Sequence, residues 1–314
     1  MLQFVQGIYD SIFTEAEYRV LIVGPPQSGK TTLFEQLKYM YAVSQNPNAG
    51  PAPVAAPNAL APSPPVASEA YLASKKIRPT VGMNYLKCQH FFERRPAQGS
   101  RSSSLTQAPP PPPDPTRTPL VLWDLGGAPS LQALWRAYYP QCQAVIFVVD
   151  AALLAAEDAA EDAAQRARRI RAAYAPVRAL LEQLLWHPQL QGVPFLLLLN
   201  KVDVRRPGGG CITAAELMEA IDLVEMATSN AFYAHPNALL HSGAATDATH
   251  AAHAAPDVSS SGVGSCIFKM EQVSARTGQN VAGALDWLVR QLRQSARAID
   301  AEDGGSAAGH KNST

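Results

Sequence analysis

This chain has few of the features that would tie it to a metal cluster, a membrane span or a polyanion. Only four cysteines, Cys88, Cys142, Cys211 and Cys266, occur in 314 residues. They show neither metal-ligand spacing nor close pairing, so they read as reduced thiols of a cytosolic protein. Charge of neither sign prevails, with 26 Lys+Arg against 26 Asp+Glu, and that balance excludes a basic nucleic-acid binder. No apolar run reaches the roughly 20 residues that span a bilayer. The first residues carry no basic region and no small-residue cleavage site, so no secretory leader is expected. Leu2 follows Met1 where N-myristoylation requires glycine, which excludes that anchor.

Enough apolar residues are present for a sizeable core, 47% of the chain. Proline is plentiful, 26 residues, and it clusters. This composition implies a single domain over residues 17–297 interrupted by low-complexity insertions near 44–70, 96–119 and 235–264, with a polar, flexible tail over 298–314. The second insertion holds a serine cluster and the run of prolines at 109–113 and reads as an extended spacer between two strands. The third holds His235, His241, His250 and His253 without metal spacing and reads as filler. Ahead of the domain, residues 1–16 form an amphipathic helix. Leu2, Phe4, Val5, Ile8, Tyr9, Ile12 and Phe13 share one side at about 100° per residue. Two readings stay open for it, docking on a membrane surface or packing into the core, because its polar face carries no Lys or Arg for anionic lipid.

The most informative stretch is Gly24-Pro25-Pro26-Gln27-Ser28-Gly29-Lys30-Thr31, which fits the phosphate-loop spacing G-x-x-x-x-G-K-[ST]. An apolar strand, residues 18–23, precedes it, and a helix starting near Thr32 and running to about residue 42 follows. In that context, backbone N–H groups of the loop and of the helix N-terminus converge on one anion site. Lys30 adds charge for the β- and γ-phosphates, and the Thr31 hydroxyl suits magnesium. Further strands are expected over 85–92, 120–123, 144–149, 195–199 and 267–273. Tyr85, Leu86, Phe91 and Phe92 are packing candidates in the first of these. A long helical region over 151–185, broken or kinked at Pro176, and a last helix over 281–293 complete the pattern. Strands alternating with helices imply an α/β fold, a doubly wound, mostly parallel sheet with helices on both faces. In such sheets ligands bind at the carboxyl ends of the strands, and every candidate motif here lies just past a strand.

Asn200-Lys201-Val202-Asp203 selects the base. Guanine offers two adjacent donors that Asp203 can accept together, whereas adenine would leave that carboxylate unpaired at a cost. Asn200 can tie its loop back to the phosphate loop, the Lys201 stem can lie over the base, and Ser274-Ala275-Arg276 supplies backbone N–H near the guanine oxygen. Asp124, at a strand end, suits magnesium held through water. Gly126 and Gly127 follow it, and the Gly127 N–H is placed for a γ-phosphate. Thr80 lies in a segment that can close over the nucleotide and offer magnesium a second hydroxyl. Loss of these contacts would release two loops, which is the physical basis of a switch.

These residues resemble the Arf branch of small GTPases, and within it the ADP-ribosylation factor-related subgroup. The likeness is carried by residues 24–32, Pro79-Thr80-Val81-Gly82, Trp123-Asp124-Leu125-Gly126-Gly127, residues 200–203 and Ser274-Ala275. It also takes in Leu131-Gln132-Ala133-Leu134-Trp135, Tyr138-Tyr139 and Leu285-Asp286-Trp287. The resemblance implies a GTP/GDP switch that uses Mg2+ and acts in vesicle traffic, peripheral on Golgi or trans-Golgi membranes. Its partners would be an exchange factor, a GTPase-activating protein, tethering effectors and a membrane receptor that replaces the lipid anchor; a monomer is expected. Nucleotide contacts would come from Gly24, Pro25, Pro26, Gln27, Ser28, Gly29, Lys30, Thr31, Thr32, Thr80, Asp124, Gly126, Gly127, Ala128, Asn200, Lys201, Asp203, Ser274, Ala275 and Arg276. Catalysis would rest on Lys30, Thr80 and Gly127, and the metal on Thr31, Thr80 and Asp124. The chain departs from the family pattern twice. Pro25 and Pro26 remove two loop donors, and Ala128 stands where the family has a water-positioning glutamine. A GTP-bound scaffold with little hydrolysis is therefore the alternative, and a phosphate-loop ATP enzyme such as a kinase is a third reading.

Overall fold

A computed structural model of the chain describes residues 17–45, 66–91, 117–154, 162–204, 211–223, 225–226 and 267–308. The N-terminal amphipathic segment, Phe92 and the His-rich insertion lie outside the described residues. Six strands make one sheet: β1 (Tyr18–Val23), β2 (Met83–Phe91), β3 (Arg117–Leu125), β4 (Ala144–Asp150), β5 (Phe195–Asn200) and β6 (Phe268–Gln272). Their spatial order is β2-β3-β1-β4-β5-β6. All neighbours are parallel except β2, which runs antiparallel to β3. The chain winds outward in both directions from β1, so the turn after β1 sits where the strand order reverses. That crevice is where such sheets take ligands.

The central strands read as unbroken apolar runs because both of their faces are covered. All six residues of β5, Phe-Leu-Leu-Leu-Leu-Asn, are buried. The period of two sends alternate residues into two cores. On one face Val20, Ile22, Leu120, Leu122, Ile146 and Val148 meet the helix α1 (Lys30–Gln45) through Leu33, Phe34 and Leu37. They also meet α6 (Val281–Ala308) through Val281, Leu285, Leu288 and Leu292. On the other face Leu21, Val23, Trp123, Phe147 and Leu197 meet α4 (Ala163–Leu185) through Ile170, Tyr174, Val177 and Leu181. The short α5 (Ala214–Ala220) adds Leu217 to that side. Two further short helices are α2 (Glu69–Ser74) and α3 (Pro129–Gln132).

The architecture agrees with the expected fold class, and the element bounds differ in instructive ways. Helix α4 begins only at Ala163, where Asp162 and Gln165 form a capping box; residues 151–154 form a turn. Pro176 neither breaks nor ends α4. The carbonyl it leaves without an N–H partner belongs to Ala172, and both residues are exposed, so water can satisfy it. Tyr85 does not pack: it is 56% exposed, because β2 is an edge strand with one face open. Leu86 and Cys88 on the opposite face do face the core. Strand β3 takes in Arg117, Thr118 and Pro119, which composition had assigned to the spacer; Pro119 is tolerated because β1 pairing starts one residue later, at Leu120. Helix α2 falls at the end of the first low-complexity stretch. Ser68 caps it, and its Leu72 is buried beside Tyr39 and Val43 of α1. Helix α6 continues to Ala308, past the position read as a frayed tail, through a stretch containing alanines 296, 298, 301, 307 and 308.

Candidate functional site

The strand ends and the turn after β1 bring the singled-out residues together from four segments. Gly24 to Gly29 make a tight turn, and Lys30 opens α1. Ser28 is buried, and Pro26 and Gln27 face solvent. Gln27 sits at φ 60°, the left-handed region. The Lys30 ammonium folds back onto the turn, donating to Gly24 O at 3.0 Å and Pro25 O at 2.6 Å. Burial lowers the Lys30 pKa to about 8, against the pull of the nearby Asp124 carboxylate, which raises it. An anion seated in the turn would raise it again by favouring the protonated form. Thr32 lies half-buried in the first turn of α1.

Asp124 is the charged centre. It is fully buried near the end of β3. Its Oδ2 accepts from Thr31 Oγ1 at 3.0 Å and from Asn84 Nδ2 at 2.8 Å, with Thr80 Oγ1 at 3.4 Å. Thr31 and Thr80 hydroxyls meet at 2.8 Å. Burial pushes the Asp124 carboxyl above its ordinary range, and the bonds from Asn84 and Thr31, with the Lys30 charge, pull it back. Its Oδ1 is buried with no hydrogen-bond partner among the described residues, and the same holds for Ser28 Oγ. A buried carboxylate oxygen without a partner beside two hydroxyls is a donor set for a hard divalent cation. The metal triad named from the sequence thus sits together, and Asn84, which had been given no role, donates to two of its members, Asp124 and Thr80.

The segment after β3 presses on the turn. A Cβ on Gly127 would stand 2.5 Å from Gly24 O and would collide with the Lys30 ammonium. Only glycine lets this backbone approach the phosphate loop so closely. The Gly126 N–H bonds Gly82 O at 3.1 Å, and its carbonyl accepts from Trp135 Nε1 at 2.9 Å. Ala128 caps α3 with extended backbone and no side-chain bond. Gln132, a turn further on, donates through Nε2 to Gly127 O at 3.1 Å. That bond uses one of its two amide hydrogens and does not involve its carbonyl oxygen.

On the base side Asn200 is a buried bracket. Its Nδ2 donates to Ser28 O at 2.8 Å and its Oδ1 accepts from Ala275 N at 2.8 Å. Gly29 has no room for a Cβ, which would collide with that same Asn200 amide. The Ala275 N–H expected to face the base is thus taken by Asn200, and the Ser274 N–H bonds Gln279 O at 3.1 Å. Ser274 Oγ, buried, accepts from Thr277 N. The Arg276 side chain turns outward to Glu69 of α2 at 3.1 Å, an exposed pair of little energetic weight. Lys201 sits at φ 70° and pairs through its ammonium with Asp150 Oδ2 at 2.6 Å, an aspartate at the end of β4 that the sequence did not single out. Asp203 lies half-buried two residues on.

Residues 78–292 match the family model described as "ADP-ribosylation factor family". ADP-ribosylation factor-like protein 3 of Saccharomyces cerevisiae is 23% identical over 297 residues, 95% of this chain and 96% of the yeast protein. ADP-ribosylation factor-related protein 1 of Bos taurus is 28% identical over 204 residues, 65% of this chain and 69% of the bovine one. Among solved structures, the Arl6 BBS3 small GTPase from Trypanosoma brucei with bound nucleotide analogue GppNp is similar at 21% identity and a TM-score of 0.46, covering 89% of this chain and 99% of its own.

The Asn200 bracket makes a prediction independent of any ligand. Asn200→Ala strands a buried carbonyl and a buried N–H, so it should lower the unfolding free energy by about 2–3 kcal/mol, read by urea denaturation. A loss under about 0.5 kcal/mol, the size of an ordinary surface change, would show that the two loops do not depend on it.

Proposed function

Because this chain belongs to the ADP-ribosylation factor family of small GTPases, we propose that it is a Mg2+-dependent GTP/GDP switch of vesicle traffic, peripheral on Golgi or trans-Golgi membranes. One observation carries the switch reading: the Thr31 and Thr80 hydroxyls, from α1 and the segment before β2, converge on the buried Asp124 carboxylate at the end of β3, beside the phosphate loop. A magnesium ion held by the two hydroxyls, and by Asp124 through water, would neutralise phosphate charge there. Lys30, now bonded to loop carbonyls, would turn to the β- and γ-phosphates, and the Gly127 N–H would meet the γ-phosphate. Thr80 and Gly127 belong to two different segments, so γ-phosphate loss would release both. Asp203 would accept the guanine donors, with the Lys201 stem over the base, held by Asp150.

The membrane reading is supported by the apolar side of residues 1–16 and by the family. An exchange factor, a GTPase-activating protein, tethering effectors and a membrane receptor are the partners it implies. The second reading, a GTP-held scaffold with little hydrolysis, is favoured by Ala128. Its methyl group can neither donate to nor accept from an attacking water.

Guanine selectivity is tested by comparing GTP and ATP affinities of wild type and Asp203→Asn. Wild type should prefer GTP, and the variant should lose at least about tenfold in GTP affinity, one charge-assisted bond's worth. Equal wild-type affinities would reject the assignment. The hydrolysis step is tested by single-turnover rates. Ala128→Gln should raise the rate by roughly 100-fold, the scale of restored positioning, with GTP affinity unchanged. A wild type already as fast as Ala128→Gln would remove Ala128 from the account.

A further inference from the structure

We propose that Asn84 is the positioning residue of the cation site: it fixes which oxygen of Asp124 faces the metal and locks Thr80 into the ligand set. The inference rests on the nucleotide-switch reading and goes beyond it to a residue that the sequence reading gave no role.

The geometry is a fork. A side-chain amide nitrogen carries two hydrogens. Asn84 Nδ2 lies 2.8 Å from Asp124 Oδ2 and 3.3 Å from Thr80 Oγ1, so one amide serves the strand-end carboxylate and the closing segment at once. Strand register makes position 84 unique. Asn84 and Asp124 are direct partners across the antiparallel β2·β3 pair, where opposed side chains come closest. Met83 and Tyr85 point to the other face and are exposed. A shift of β2 by one residue would put an apolar side chain opposite the carboxylate.

The electrostatics give the fork its consequence. Asp124 is fully buried, so its ionised form needs donors. Three groups, Thr31, Asn84 and Thr80, gather on Oδ2, and none among the described residues reaches Oδ1. Asn84 makes the shortest of the three bonds. It therefore holds the carboxylate rotamer with Oδ1 open, and it leaves a negative charge where a cation would need one. Without the amide, Oδ2 would be free to swing toward the cation's place, and Thr80 would lose one of its holds on the site. The Asn84 amide is engaged by Asp124 and Thr80, so its effect should appear in cation dependence and not in base or phosphate contacts.

The test uses the full-length protein and a fluorescent non-hydrolysable GTP analogue. Its release rate is measured against free Mg2+, giving two quantities: the Mg2+ concentration at half-maximal retention, and the release rate in EDTA. For Asn84→Ala the Mg2+ midpoint should rise about tenfold to a hundredfold, the value of one hydrogen bond to a buried charge. The EDTA rate should stay at the wild-type value. Asn84→Ser, which keeps a donor, should lie between; should Asn84→Ala fail to fold, Asn84→Ser is judged on the same two quantities. An unchanged midpoint overturns the proposal. So does a rise in both quantities together, which would mark Asn84 as a packing residue. A wild type that retains no analogue at any Mg2+ concentration would instead reject the nucleotide-switch reading itself.

Discussion

An aspartate with no contact with water is a costly group to bury, and the site is arranged around it. Burying an isolated charge costs several kcal/mol unless hydrogen bonds and opposite charge compensate it. Here Thr31 and the Lys30 charge from α1, Thr80 from the segment before β2 and Asn84 from β2 do so. Compensation is incomplete, because Asp124 keeps one oxygen without a partner among the described residues. Lys30 shows the converse: burial lowers its pKa, and carbonyls of its own loop hold its protons. Two strained charges of opposite sign flank the phosphate loop, and a phosphate with a divalent cation would relieve both.

That arrangement needs the sheet to end in register. β1 and β3 run parallel, which sets the phosphate loop beside the Asp124 turn; β4 and β5 place Asp150 directly opposite Asn200. Small side chains permit the remaining approach. Gly127 lies against Gly24 and Lys30, and Gly29 against the Asn200 amide. The two cores on either face of the sheet keep these strand ends fixed, so the chemistry rests on apolar packing some distance from it.

Much of this was legible in the sequence, for physical reasons that can be named. Strands β1, β4 and β5 were visible because parallel strands buried on both faces read as unbroken apolar runs. The phosphate loop, Asp124, Thr80 and Asn200 were visible because their chemistry depends on local spacing. Asn84 and Asp150 were not, because their roles depend on which residue lies opposite across a strand pair. Tyr85 was misjudged for the same reason: its apolar character says nothing of which face of an edge strand it takes. Helix α2 was hidden by its length and its Pro/Ala-rich surroundings, with one buried anchor, Leu72, to define it. Pro176 does not break α4, because a helix tolerates proline where the freed carbonyl meets water.

Asp124 is buried for a cation at the expense of the ligand-free fold. The deciding variant is Asp124→Asn, with thermal unfolding of the nucleotide-free protein measured beside Mg2+-dependent nucleotide retention. Burial raises the Asp124 pKa above its unfolded value, so ionising Asp124 costs the fold stability, a cost that is complete once pH exceeds the folded value. A neutral isostere that still accepts at Oδ should therefore raise the melting temperature while removing the effect of Mg2+ on retention. A lower melting temperature together with an undiminished Mg2+ effect would contradict the claim.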